Sequence, residues 1–373
     1  MRAAVLHELQ SRSKLDMSLD SLDFVHDVQE VVSSFPNVGT PYDDRHLLNG
    51  SVSHAEAHRF CVRENYQLPT NNTEMDRLNT QHRLATLLID GLYPAYCRCI
   101  VEELLQPRED GSHPCILDVG CGPATWYENI AFIPVRAPLF NKQNRAMEMA
   151  RRFPSADVVG LDLTQQEYNS PPDNFRFVQG DLNADMSPFH GRFAIVHCRF
   201  VAQHFPEPFR LPSILADCGL LLMADGDWVI FDKDKNVIPP LRYDATADEA
   251  TQAADAQPGS WLAGWFDIFR GLTRAPDYQT PEVLIEESRL FKNIRFNHIL
   301  APINWAGDDG AERDEKIGVT MAANARDFFR NGVPAVLKMG MSPRMVELWR
   351  QGVEDDLNHQ LCSIWHFATA RKL

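Results

Sequence analysis

The 373-residue sequence lacks any apolar run near the roughly 18 residues that a membrane span needs. No transmembrane helix is therefore expected. Its N-terminus, "MRAAVLHELQSRSKLDMSLD", has no continuous apolar stretch and does not read as a signal peptide. The eight cysteines form no C-x-x-C pair. Several sit inside apolar runs, as small buried hydrophobes do. Reduced, structural cysteines and a cytoplasmic location are expected. Basic charge is also short: 36 Lys and Arg stand against 51 Asp and Glu, for a formal net charge of −15. Such a chain has no general attraction for phosphate backbones, so nucleic acid is not expected as its main partner. No internal repeat and no nucleophile elbow are present. His54 and His58 are spaced i, i+4 in "HAEAH". The stretch is not H-E-x-x-H and shows no third ligand, so no metal site is expected.

What is present is an ordinary globular composition, with 44% hydrophobic and 23% charged residues. Residues 1–60 are polar with weak periodicity and read as a loosely ordered arm. Residues 61–110 hold two helical runs. In the first, Met75, Leu78, His82 and Ala85 follow helical spacing. From 111 to 235 the chain alternates strands and helices. The strands read as "CILDVG", "ADVVGLDLT", "NFRFVQGDL", "RFAIVHCRF" and "DWVIFDKD". "PSILADCGLLLMA", before the fifth, reads as helix. That rhythm implies a parallel sheet with helices on both faces. Residues 236–290 read as a helical insertion on the substrate side. Residues 291–373 read as two last strands with helices between them.

"CILDVG" runs straight into a glycine-rich turn. Gly120 and Gly122 let the backbone turn sharply and approach a ligand closely. The spacing D-x-G-x-G-x-A, ending at Ala124, differs from the G-x-G-x-x-G of dinucleotide loops. Asp118, just before the glycines, suits a cationic ligand better than a diphosphate. That points to the amino end of S-adenosylmethionine (SAM). Asp162, at the end of the second strand, can accept both ribose hydroxyls, and Asp181, ending the third, can accept from an adenine amino group. All three carboxylates fall at strand carboxyl ends, where open α/β sheets bind ligands.

These motifs, with "FAIVHCRF", resemble the successive motifs of class I SAM-dependent methyltransferases. "YQLPTNNTEMDRLNTQH" at 66–82, "LAPINWAGD" at 300–308, "EKIG" at 315–318 and the closing "ATARK" resemble the fungal LaeA-like (UMTA-type) methyltransferases over about residues 60–373. The resemblance implies a seven-stranded, Rossmann-like sheet with a reversed last strand. It implies an N-terminal helical lid over the cofactor and helical insertions after strands five and six. It adds Leu163, Leu182 and Cys198 to the cofactor side, and makes Tyr66 and His82 parts of the lid. The turn before strand five departs from the family's Pro-Gly-Gly-Trp and reads Ala224-Asp225-Gly226-Asp227-Trp228.

His197 and His204 are candidates for a general base, with cleft-wall positions as the plainer alternative. Trp261, Trp265, Phe266 and Phe269 are candidates for an aromatic substrate wall, or equally for a helix face packed on the core. A dedicated base is optional, because a sulfonium donor is already activated and alignment can supply much of the rate. The reaction expected is methyl transfer to an oxygen or nitrogen of a small molecule, in fungal secondary metabolism. The alternative is a LaeA-like regulator acting in the nucleus through protein partners. A methyltransferase fold that no longer methylates is a third reading. The sequence leaves the oligomeric state open.

One stretch breaks the pattern. From Asp118 to Asp162 is 44 residues, whereas the acidic residue usually follows the glycine loop by about 20. Removing the 19 residues 127–145 joins "GPATW" to the amphipathic "AMEMARRFP". The segment has no helical period and holds two prolines. Its ends can be encoded with a splice donor and acceptor in frame. It is either a retained intron or a true surface insertion.

Overall fold

The computed structural model describes residues 68, 72–122, 145–164, 168, 170–181, 184, 186–201, 211–254, 259–272 and 280–373. The chain divides after Thr40 into two units, and every described residue lies in the second. The 1–60 arm, with His54 and His58, and almost all of the 127–145 segment therefore lie outside the described residues.

Helix α1 (Asn72–Ile89) and, after a 3-10 turn at Ala95–Cys97, helix α2 (Arg98–Leu104) precede the first strand. Then come β1 (Cys115–Val119), α3 (Arg145–Arg152), β2 (Asp157–Asp162), β3 (Phe175–Gln179) and β4 (Phe193–Arg199). Every residue of β1 and of β4 is buried. Central parallel strands are covered on both faces, which is why their sequences run apolar without alternation. The one-turn α4 (Leu211–Ile214) leads into β5 (Leu215–Phe231), and β6 (Val237–Ile238) pairs antiparallel with the end of β5. Three helices follow: α5 (Glu249–Ala254), α6 (Trp261–Leu272) and α7 (Pro281–Ser288). The chain ends with β7 (Phe291–Ile303), α8 (Glu312–Lys338), α9 (Pro343–Asp356) and β8 (Leu361–Lys372).

The sheet order is β3-β2-β1-β4-β5-β8-β7. β3 through β5 pair in parallel, and β8 runs antiparallel to both of its neighbours. The expected path of seven strands is thus joined by the two-residue β6. A larger difference lies before strand five. The residues read as helix are strand from Leu215 onward, and Ala224–Trp228 is part of β5 rather than a turn before it. Leu220, Leu221, Leu222 and Met223 are all buried. A short continuous apolar run carries no period that separates buried strand from buried helix. Pairing decides it, because these residues bond to β4 on one side and β8 on the other. The register shifts between Gly226 and Ile230, the irregularity that accommodates the charged residues there.

The core on one face of the sheet is aromatic. Trp265 of α6 stacks on Phe329 of α8 with ring centroids 4.1 Å apart, and Trp261 meets Trp349 of α9 edge-on at 5.2 Å. Trp349 is completely buried. Truncating it leaves a cavity in close-packed surroundings. Trp349→Ala is expected to cost about 3–5 kcal/mol, read as a lowered denaturation midpoint. Val319→Ala, on the exposed side of α8, should stay within about 0.5 kcal/mol of the parent protein.

Candidate functional site

β1 delivers Asp118 to the carboxyl end of the sheet, and the chain then turns through Gly120 (φ 60°) and Gly122 (φ 68°). Both sit in the left-handed region that favours glycine. A Cβ at Gly120 would collide with Val201, whereas at Gly122 it would meet nothing within 4 Å among the described residues. Asp162 ties this turn to β2. Its Oδ2 accepts from the Gly122 amide at 3.0 Å and its Oδ1 from the Thr164 amide at 3.1 Å. Burial pushes the Asp162 carboxyl above its usual range, against those backbone donors. Tyr168 supports the turn from below by donating to the Gly122 carbonyl at 3.2 Å, with its ring against Phe175 and Phe177. No motif marks Tyr168 for that role.

Asp118 is 2% exposed, and its Oδ1 accepts from the guanidinium of Arg145, itself 6% exposed. The second oxygen, Oδ2, has no hydrogen-bond partner. Arg145 opens α3 and is the last residue of the segment that breaks the sequence pattern. Around this pair, α1, α3 and β4 bring together His82, Glu148, His197 and Arg199. His82 Nδ1 lies 3.3 Å from Arg199 Nη1, and its Nε2 lies 3.6 Å from Glu148 Oε1. His82 thus joins the helix ahead of the sheet to the site. Burial lowers the pKa of His82, with Glu148 opposing. His197 faces Asp118 in register. Burial, then the charges of Arg145, Arg199 and His82, hold its pKa well below the usual value. His197, Cys198 and Arg199 lie within β4, not after it. Cys198 is buried, and burial raises its thiol pKa.

The other expected residues fall in different places. Asp181 lies just past β3, exposed, and Leu163 is 49% exposed beyond β2. Tyr66, Ala124, Leu182 and His204 lie outside the described residues. Trp261 and Trp265 are core residues, 9% and 0% exposed, and do not reach the cavity beside their helix. Phe266 and Phe269, from the same helix, do line that cavity. It measures about 130 Å³. Trp228, Phe266 and Phe328 meet there in mutual edge contacts of 5.4–5.9 Å. Arg77 and Asp225 contribute charge to its wall.

The cavity adjoins the polar cluster through consecutive residues of one strand end. Arg199 belongs to the cluster, and Phe200 lines the cavity. Phe200 has φ 59°, strained for a bulky side chain. Its amide donates to the Ala224 carbonyl at 2.9 Å, and its ring packs edge-on against Trp365 at 5.0 Å.

No family model matches the chain. Curated relatives do. The chain is 25% identical to the secondary metabolism regulator laeA of Coprinopsis cinerea over 293 residues, 76% of this chain and 63% of that protein. It is 28% identical to methyltransferase str3 of Strobilurus tenacellus over 247 residues, 64% of this chain and 71% of that one. It is 25% identical to methyltransferase pytC of Aspergillus terreus over 370 residues, 96% of this chain and 95% of that one. The chain thus spans just under two thirds of the first relative's length and most of the other two. The sheet order and the glycine turn match those expected of the class I SAM-dependent methyltransferase fold. The chain is similar to fungal proteins named as methyltransferases and as secondary metabolism regulators. No helix among the described residues is long and apolar enough to cross a membrane.

The residues present fit the cofactor of that class. A buried carboxylate with one oxygen unpartnered is a cation site, and the Arg145 guanidinium stands in it as a cation from the chain itself. Removing one partner of a buried ion pair strands the other charge. Arg145→Met is therefore expected to cost about 3–5 kcal/mol by denaturant titration. Arg145→Met with Asp118→Asn should recover much of that loss; equal losses would show that Asp118 does not need a cation.

Proposed function

We propose that this chain transfers the methyl group of SAM to an oxygen or nitrogen of a small, flat molecule held in the aromatic cavity. The observation that carries the reading is the join at the end of β4, where a cation-accepting cluster and an aromatic cavity meet at Arg199 and Phe200. SAM, when bound, supplies an electrophilic methyl group on a sulfonium. Asp118 would hold the methionine ammonium, with Gly120 and Gly122 letting the backbone come close. Asp162 would take the ribose hydroxyls and Asp181 the adenine amino group. Arg145 would leave Asp118 as the ammonium arrives.

The cavity as it stands suits about one ring, since an engineered apolar cavity of about 150 Å³ holds benzene. Stacked and edge-on aromatic contacts would orient such a ring, and the apolar wall would exclude water. His197 is held neutral, the state a base requires, but it is buried among Arg145, Arg199 and His82. A positioning role beneath the cofactor fits it better than proton transfer. The second reading, a regulator with protein partners, is favoured by the names of several relatives.

Incubating the full chain with SAM labelled in the methyl group and a fungal metabolite extract separates the two. Label is expected in low-molecular-weight product. Phe266→Trp, which fills the cavity, should abolish that label while SAM binding persists. Label confined to protein, or none at all with SAM bound, overturns the small-molecule reading. In calorimetry, Arg145→Met should bind SAM about tenfold more tightly than the parent chain, about 1.4 kcal/mol, because no guanidinium has to be displaced.

A further inference from the structure

A second polar cluster lies on the other face of the sheet, where β5, β8 and β7 pass beneath α7. Asp225, His366 and His298 stand side by side on these three strands, in one row of the register. Glu282 comes down from the first turn of α7. Its Oε1 is 2.9 Å from His298 Nε2 and 3.1 Å from His366 Nδ1. The two imidazole rings are nearly perpendicular, 86° apart with centroids 5.1 Å apart. One donor atom from each of Glu282, His298 and His366 falls within 4.8 Å of the others.

We propose that Glu282, His298 and His366 form a binding site for a divalent transition-metal ion, zinc foremost. Two imidazoles and one carboxylate are the donor set of open zinc centres and of non-haem iron sites. With ligand bonds of about 2.0–2.1 Å, donor atoms around a tetrahedral ion sit roughly 3.3 Å apart. The Glu282 contacts need to open by only a few tenths of an ångström to reach that spacing.

A second observation points the same way. His366 is 4% exposed, and its other ring nitrogen, Nε2, makes no hydrogen bond. That nitrogen lies 3.8 Å from Asp227 Oδ2. Metal-binding histidines commonly present the far nitrogen to a carboxylate in this way, which fixes the tautomer and the ring. Asp225 is buried beside His366 with its Oδ2 unpartnered. The carboxylates of Glu282 and Asp227 around two imidazoles favour a dication. The site is reachable, since the side chains of His298 and Glu282 are 26% and 15% exposed. It also borders the aromatic cavity through the Asp225–Asp227 stretch of β5. A bound ion would pin two strands and a helix behind that wall.

The test uses the full chain without a histidine tag, stripped with chelator and titrated with Co²⁺ and then Zn²⁺. One equivalent of Co²⁺ is expected to give visible ligand-field absorption, which Zn²⁺ then displaces. His298→Ala and Glu282→Gln should each weaken binding at least tenfold, and Asp227→Asn about 10–100-fold. Circular dichroism of each variant confirms folding; His298 lies on the last strand of the sheet path, where substitution is mild. His359→Ala, at an exposed histidine outside the cluster, should change nothing. Absence of bound metal overturns the proposal. So does metal whose affinity is unchanged in His298→Ala and Glu282→Gln, because the ion then sits elsewhere.

Discussion

A carboxylate buried at the end of a central strand needs a cation, and much of this molecule is arranged around that need. Asp118 sits at the carboxyl end of a strand with every residue buried. Leaving its charge unpaired there would cost several kcal/mol. Arg145 meets the need from within the chain. The surrounding groups follow from the pair. His197 is kept neutral, His82 and Glu148 bridge helix to helix, and Arg199 is held by His82 and the Leu92 carbonyl. The same demand is why we assign the spot to the ammonium group of the cofactor.

The second half of the site is apolar and is built by packing. Helices α1, α6 and α8 close over β5 and β8, and aromatic rings line the gap between them. The halves meet because β4 ends at the polar Arg199 and the apolar Phe200 follows it directly. The strained backbone at Phe200 is the local cost of that junction.

The parallel strands and the glycine turn were legible in the sequence, because a buried strand ending in glycines and an aspartate leaves a local signature. Asp118 was read from that signature, whereas His82 entered only through the family resemblance, as part of a lid. What was not legible is what long-range pairing creates. The Leu220–Met223 run is strand only because β4 and β8 flank it. Arg145 belonged to a stretch that looked like an interruption, and nothing local linked it to Asp118. Glu282, His298 and His366 lie far apart in sequence and share no motif. Antiparallel register alone places the two histidines side by side. Of the four aromatics on α6, Trp261 and Trp265 pack in the core and Phe266 and Phe269 line the cavity, a division that helical spacing alone does not give.

The central claim is that Asp118 is a cation site shared in turn by Arg145 and the cofactor's ammonium group. A crystal structure of the full chain with S-adenosylhomocysteine tests it most directly. The account predicts the ligand's ammonium group hydrogen-bonded to the Asp118 carboxylate, with the Arg145 guanidinium moved away. A ligand bound with the Arg145–Asp118 pair intact would contradict it.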